Sequence, residues 1–184
     1  MEVVQRSFIL SEAEKVWLTS NQHFDHANII KYCNRPFTSV EEMNAALLNN
    51  WNNAVAPSDL VYFLGDFSFG RGSRSVRWWL KRLHGQIVYI KGSHDHGIRT
   101  TSTIPNVLRV VLSEIVSVNS LDFLLVHDAH DAVVNGWNGW IIHGHNHDNR
   151  PFMDARSMRI NVSVEAIDYK PITLAKVYKE VVGL

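Results

Sequence analysis

The chain has 184 residues, of which 46% are hydrophobic and 20% are charged, a composition that excludes a disordered or collagen-like polypeptide. Its 18 basic and 18 acidic side chains cancel, which excludes a global electrostatic preference for nucleic acids or membranes, and a single cysteine excludes an internal disulfide framework. No apolar run reaches the roughly 18 residues of a membrane span, and the first 15 residues contain no hydrophobic signal segment, so we expect one soluble, cytoplasmic domain over residues 1–184.

The first half of the chain predicts alternating strands and helices. Residues 15–20 read as a short strand that runs into a polar loop. A helix is predicted from about Ser39 to Asn53, because Thr38 and Glu41 have capping-box spacing and apolar side chains then recur at helical intervals. Two apolar runs, 60–64 and 86–90, are typical of buried strands. Between them, apolar positions 76, 79, 80 and 83 indicate a second amphipathic helix.

The second half is richer in strands. Residues 107–118 and 121–126 predict adjacent strands, joined by a two-residue turn at Asn119 and Ser120. A short strand at 140–142 and alternating apolar residues over 158–164 add two more, and a terminal helix is predicted from Pro171 onward. This order predicts an α/β protein with two packed sheets and helices outside them.

Residue types that bind metals follow several of these predicted strands. They are Asn21, His23 and His26 after the first strand, Asp66 after the second, Ser93, His94 and Asp95 after the third, and then His127, His143, His145 and His147. Each of these residue types is common in loops and turns, so one of them alone indicates no site. Their joint occurrence at strand ends favours one shared pocket. Imidazole and carboxylate ligands without thiolates suit Mn, Fe, Co, Ni or Zn.

The order of these motifs resembles that of the calcineurin-like metallophosphoesterases, whose pattern is Asp-x-His, Gly-Asp, Gly-Asn-His-Asp/Glu, His and Gly-His-x-His. The segments here are Asn21-Gln22-His23, Gly65-Asp66, Gly92-Ser93-His94-Asp95, His127 and Gly144-His145-Asn146-His147. The run from position 23 to 30 is similar to a small bacterial, archaeal and phage branch of that family. The resemblance implies a four-layer α/β/β/α sandwich of two mixed β-sheets flanked by helices.

The resemblance also implies a centre of two divalent metal ions, with Asp66 bridging them. The first ion would be held by Asn21, His23, Asp66 and His147, and the second by Asp66, Ser93, His127 and His145. His94 would act as the general acid or stabilise the departing oxygen, and Asp95 would orient it. Two ions about 3.5–4 Å apart acidify a bridging water and clamp the phosphate, so the implied reaction is hydrolysis of a phosphomonoester or phosphodiester by a metal-bridging hydroxide.

Two positions depart from the family's pattern. Asn21 stands where the family has aspartate, and Ser93 stands where it has a metal-binding asparagine. A neutral amide is a weaker ligand than a carboxylate, and serine is shorter than asparagine, so we expect weakened metal loading and activity. The alternative is a catalytically degenerate member that keeps the sandwich as a binding or scaffold module.

Candidates for the substrate side follow the first two motifs. They are His26, Asn28 and Arg35, together with Arg71, which lies close to Asp66 in sequence. Positions 67–94 contain no acidic residue, which predicts either a basic surface for a nucleotide or nucleic acid or the solvated face of a helix. We interpret Cys33 as a small apolar packing residue. The segment 143–147 superficially resembles a His-Asn-His nuclease motif, but its five consecutive positions disfavour that class.

Overall fold

Two β-sheets carry the fold of the computed structural model, which describes residues 5–69, 73–96, 98, 104–131, 135–148 and 152–183. Sheet 1 has the spatial order β1 (Gln5–Phe8), β6 (Ser113–Val118), β7 (Leu121–Val126), β8 (Trp140–His143), β10 (Arg159–Asn161) and β9 (Met153–Asp154). Sheet 2 has the order β11 (Ile172–Thr173), β2 (Val16–Thr19), β3 (Leu60–Phe63), β4 (Gln86–Ile90) and β5 (Val107–Val111). Both sheets mix parallel and antiparallel pairs.

Five helices complete the described part of the chain. They are α1 (Leu10–Ala13), α2 (Ala27–Tyr32), α3 (Val40–Ala54), α4 (Val76–Leu80) and α5 (Leu174–Val182). The predicted α/β fold with two mixed sheets flanked by helices is therefore confirmed. No helix in this part of the chain is long and apolar enough to cross a membrane.

The buried side chains of β3 show how the layers pack. Successive residues of a strand point to opposite faces of its sheet. Tyr62 belongs to the core shared with sheet 1, whereas Val61 and Phe63 belong to the core shared with α3 and α4. On the helix side, Trp51 of α3 is fully buried and donates its indole N–H to the carbonyl of His84, 2.9 Å away. Both faces of sheet 2 are thus covered, which is why its central strands are apolar throughout.

Most predicted elements agree with the structure, and the cap of α3 differs by one residue. The N-cap is Ser39, whose hydroxyl accepts the backbone N–H of Glu42 at 3.1 Å. The Glu42 carboxylate in turn accepts the backbone N–H of Thr38 at 2.7 Å. The predicted turn between β6 and β7 is confirmed: Asn119 and Ser120 have φ of 47° and 69°, as a two-residue hairpin turn of type I′ requires.

One predicted strand is wrong. The segment 107–118 was expected to be continuous, but Val107–Val111 pairs with β4 in sheet 2 and Ser113–Val118 pairs with β1 and β7 in sheet 1. The chain crosses between the sheets at Leu112, which is 59% exposed. Apolar side chains continue on both sides of this crossing, so the hydrophobic pattern contains no sign of it.

Candidate metal centre

The loops that carry the predicted ligands leave the carboxyl ends of parallel strands. β2, β3 and β4 are parallel neighbours in sheet 2, and β7 and β8 are parallel neighbours in sheet 1. In the loops after these strands, Asn21, His23, Asp66 and His145 have φ of 58°, 50°, 58° and 64°. Left-handed backbone at a non-glycine residue is strained by about 1–3 kcal/mol and clusters at functional sites. Sharp turns therefore bring these side chains to one place.

The two sheets meet directly beneath this site. A Cβ at position 144 would lie 1.9 Å from Ser20 Oγ, so the close approach of the loops after β2 and β8 requires glycine there. The backbone N–H of Gly144 donates to the carbonyl of His127 at 3.0 Å, and that of Asn21 donates to the carbonyl of Gly65 at 2.9 Å. Backbone contacts thus fix the loops against each other.

Asp66 lies at the middle of the site. Its Oδ2 is 3.3 Å from His127 Nε2 and 3.8 Å from His23 Nε2, and its Oδ1 accepts the backbone N–H of His94 at 2.9 Å. Ser93 Oγ lies 3.4 Å from Oδ2. Burial raises the pKa of Asp66, but the hydrogen bond and charge of His127, together with the hydrogen bond from the backbone of His94, hold the pKa below its usual value. The carboxylate is therefore ionised between two groups of histidines, as a shared ligand must be.

The first group consists of Asp66, His127 and His145, whose ligand atoms all lie within 4.8 Å of one another. His145 Nδ1 is 3.2 Å from His127 Nε2. His127 Nδ1 lies 2.7 Å from the carbonyl oxygen of Leu64. Because a carbonyl only accepts, Nδ1 carries a proton and Nε2 is the atom that faces the site. These three residues fit a divalent ion.

The second group consists of His23 and His147, whose Nε2 atoms are 3.2 Å apart. Burial and the nearby His147 hold the pKa of His23 well below its usual value, so its imidazole is neutral. Burial also lowers the pKa of His147, but hydrogen bonds to Cys33 and Glu165 raise it to about 9. Glu165 therefore holds a proton on His147 Nδ1, and Nε2 is the atom that faces His23 and would meet an ion.

Glu165 is a residue that the sequence analysis missed. Its buried carboxylate lies 2.9 Å from His147 Nδ1, and Arg35 holds the same oxygen from 2.8 Å. A carboxylate behind a ligating imidazole fixes its tautomer and orientation. Cys33, interpreted as packing, also has its sulfur within 4.8 Å of the ligand atoms of His147 and Glu165. The one available signal was an acidic residue directly after the alternating run 158–164.

Asn21 does not offer its carbonyl oxygen to this centre. Oδ1 accepts the backbone N–H of His145 at 3.1 Å and the hydroxyl of Ser20 at 2.6 Å. The amide nitrogen Nδ2 is then the atom that faces His147 Nε2, 2.9 Å away. Turning the amide round would set its NH₂ against the N–H of His145, leaving a buried donor unpaired at a cost of about 1–3 kcal/mol. The expectation that Asn21 coordinates a metal is therefore not met in this arrangement.

His94 lies at the open side of the site, and Asp95 lies below it. The exposed imidazole of His94 packs edge-on against that of His23, with 5.7 Å between ring centroids. The sequence predicts that Asp95 orients His94, but the buried carboxylate of Asp95 binds other groups. It accepts the backbone N–H of Asp66 at 2.8 Å and that of Gly92 at 2.7 Å. It also accepts the hydroxyl of Tyr89 at 2.7 Å. Asp95 therefore joins the loops after β3 and β4 instead of positioning the His94 ring.

The predicted substrate-side residues fall in different places. His26 is half-buried, with its ring 5.6 Å from that of His23, and Asn28 is exposed on the first turn of α2. Arg35 is only 4% exposed, because its guanidinium donates to the carbonyls of Asn21 and Gln22 besides pairing with Glu165. It supports the first loop from beneath, contrary to the expected phosphate contact. Arg71 lies outside the described residues.

Similar proteins were found by sequence. No family model matches the chain. An uncharacterized protein of Methanocaldococcus jannaschii is 44% identical over 170 residues, which are 90% of this chain and 90% of that protein. The Gene 66 protein of Mycobacterium phage L5 is 33% identical over 81 residues, which are 43% of this chain and 39% of the phage protein.

Similar solved structures support the fold. A protein of unknown function from Aquifex aeolicus superposes with a TM-score of 0.68 and 25% identity, covering 90% of this chain and 98% of its own. An archaeal phosphodiesterase matches with a TM-score of 0.42 and 18% identity over 80% of this chain and 81% of its own, too low a similarity to carry weight. The two-sheet arrangement thus recurs in the Aquifex protein.

Proposed function

The chain belongs to the family of the Methanocaldococcus jannaschii protein, and from the site that it carries we propose that it is a metal-dependent phosphoesterase. The observation that supports this most is the buried carboxylate of Asp66, shared between His127 at 3.3 Å and His23 at 3.8 Å. The exposed imidazole of His94 stands beside these groups. The substrate class is a phosphomonoester or a phosphodiester.

The residues divide the proposed metal binding unequally. Asp66, His127 and His145 would hold one divalent ion, and His23 and His147 with Asp66 would hold a second one more weakly, because Asn21 turns an N–H toward His147. Nitrogen and oxygen ligands favour Mn, Fe, Co, Ni or Zn. When bound, such ions acidify water and neutralise the charge of a phosphate.

The surrounding residues have separate roles in this proposal. His94 donates a proton to the leaving oxygen, which lowers the cost of expelling an alkoxide. Glu165 orients His147 through Nδ1, and Arg35 holds Glu165 in place. Asp95 fixes the backbone of Asp66, so that the carboxylate needs no rearrangement when a cation binds.

A second candidate function is a scaffold or binding module without catalysis. The amide of Asn21 favours it, since Nδ2 faces a nitrogen that a metal would otherwise use. Metal analysis of the purified protein, with hydrolysis assays on p-nitrophenyl phosphate and bis(p-nitrophenyl) phosphate, separates the two. A phosphoesterase retains at least one divalent ion and hydrolyses one of the esters until a chelator is added. Hydrolysis of neither ester, with or without bound metal, would leave the scaffold function.

Restoring the residues of the calcineurin-like pattern at positions 21 and 93 is expected to raise metal affinity and turnover. Asn21→Asp keeps an oxygen for the N–H of His145 and gives the second position a charged ligand, while Ser93→Asn adds a carbonyl oxygen with longer reach. The affinity should rise by at least about tenfold, the effect of even an outer-shell change. Asn21→Asp should raise metal affinity and turnover more than Ser93→Asn does. The gain in the double variant should exceed the sum of the two single gains, because both ions act on the same phosphate.

Titration of Mn²⁺ into the original protein, the two single variants and the double variant measures this gain. The readouts are ester hydrolysis and metal stoichiometry. Asn146→Asp is the matched control, since it adds the same charge between His145 and His147 at a side chain that lines a separate cavity with Phe152. An equal gain in the control would mean that charge alone is responsible. A double variant no better than the original protein would show that Asn21 and Ser93 already function as they are.

A further inference from the structure

Two exposed aromatic side chains lie beside the candidate metal centre. Among the described residues, seven large hydrophobic side chains are exposed, and only Tyr32, at 74%, and Phe69, at 39%, are aromatic. Aromatic rings are large apolar groups that normally dominate cores and interfaces, so exposure of two at one place indicates a surface that receives a ligand. The other five are aliphatic and are spread over the sequence from Ile9 to Val182.

These two rings belong to a continuous series that we call the aromatic row: His94, Phe69, His26 and Tyr32. Consecutive ring centroids in this order are 4.5, 4.9 and 6.2 Å apart. The first and third rings of the row, those of His94 and His26, lie 5.7 and 5.6 Å from the ring of His23. The row therefore runs along the edge of the proposed metal centre from His94 to His26 and reaches solvent at Tyr32.

We propose that the aromatic row binds a nucleobase, so that the phosphoester substrate is a nucleotide. This inference rests on the proposed function and specifies the substrate of the same site. A nucleobase stacks on aromatic side chains with little dependence on its identity, since every base has a π-face. With the phosphate at the metal centre, the nucleoside would lie along Phe69 and His26 and reach Tyr32.

The length of the row favours a nucleoside over a simple aryl group. In an aryl phosphate the ring is bonded directly to the leaving oxygen, so it would contact Phe69 beside His94 and stop there. Tyr32 lies one ring beyond His26, outside the rings that border His23, and a ligand with a spacer between phosphate and ring reaches it. The sugar of a nucleotide is such a spacer.

The chemical step remains that of ester hydrolysis and needs no further reactant. The oxygen of water forms a bond to phosphorus, and the bond from phosphorus to the nucleoside oxygen breaks. His94 supplies the proton that the nucleoside oxygen takes up, and the attacking water releases one proton to solvent, from which His94 is reprotonated. In this arrangement the departing nucleoside is the part of the substrate that contacts the aromatic row.

Calorimetric binding of adenosine 5′-monophosphate and ribose 5-phosphate to the Mn²⁺-loaded protein tests the inference. The two ligands share the phosphate and the sugar, so the ratio of their Kd values isolates the base. We expect the adenine nucleotide to bind about tenfold more tightly. Tyr32→Ala should bring the ratio close to one, whereas the control Tyr32→Phe, which keeps the ring, should preserve it. Chromatography of the ligands after each titration shows whether they stayed intact.

The outcomes distinguish this inference from the proposed function. Equal affinity for the two ligands, or a ratio that survives Tyr32→Ala, would overturn the nucleotide assignment even if p-nitrophenyl esters are hydrolysed. A preference for the base that depends on Tyr32, without hydrolysis of any ester, would support base binding and refute the phosphoesterase. Binding of neither ligand would refute the nucleotide assignment.

Discussion

Replacing Asp66 by alanine is expected to remove most of the bound metal and to lower ester hydrolysis by more than about a hundredfold, beyond the 10–100-fold typical of outer-shell changes. Its carboxylate is the group that approaches both His127, at 3.3 Å, and His23, at 3.8 Å. Without it, the two positions would lose the carboxylate that they share and keep only imidazoles. Elemental analysis of the purified variant, beside a circular dichroism spectrum and an ester assay, measures the loss.

Two further variants separate metal binding from folding. Asp66→Asn keeps the size of the side chain and an acceptor for the backbone N–H of His94, so it should fold normally and still lose metal. Asp154→Ala is the matched control, because its exposed carboxylate accepts hydrogen bonds from Arg156 and Ser157 in the turn after β9. Full metal stoichiometry in Asp66→Ala would refute the assignment of this centre.

Much of the fold and the convergence of the site can be predicted from local patterns. Buried strands over 60–64 and 86–90 end close to a glycine, and parallel strands bring the loops at their carboxyl ends to one edge of the sheet. Asp66 and His94, in the loops after the parallel neighbours β3 and β4, could therefore be expected to meet. The crossing at Leu112 could not, because the hydrophobic pattern is the same in a strand that changes sheets as in one that continues.

The contacts beneath the site could not be predicted from the sequence, for a different physical reason. Asp95 binds backbone N–H groups, which every residue but proline has, so nothing in the sequence marks its partners. Arg35 and Glu165 are a buried pair whose members lie 130 positions apart. The direction of the Asn21 amide depends on the N–H of His145, a donor that exists there only once the two sheets have packed together.

Replacing His94 by alanine is expected to lower turnover by about 10²–10⁴-fold, the usual contribution of general acid–base catalysis, and to leave the metal content unchanged. The ring is exposed and lies outside the group formed by Asp66, His127 and His145, while only its backbone N–H holds Asp66. Alanine keeps that N–H, so the metal ligands should stay in position.

The leaving group decides whether His94 acts as proposed. A good leaving group departs without a proton, so the loss in His94→Ala should be small for p-nitrophenyl esters and grow as the leaving alcohol becomes more basic. A series of aryl and alkyl phosphates should therefore show a steeper dependence of kcat on leaving-group pKa in His94→Ala than in the original protein. His96→Ala, at another exposed histidine of the same loop, should leave this dependence as it is. A His94→Ala protein that loses metal together with activity would instead make His94 a ligand, and an unchanged dependence would exclude proton donation by this residue.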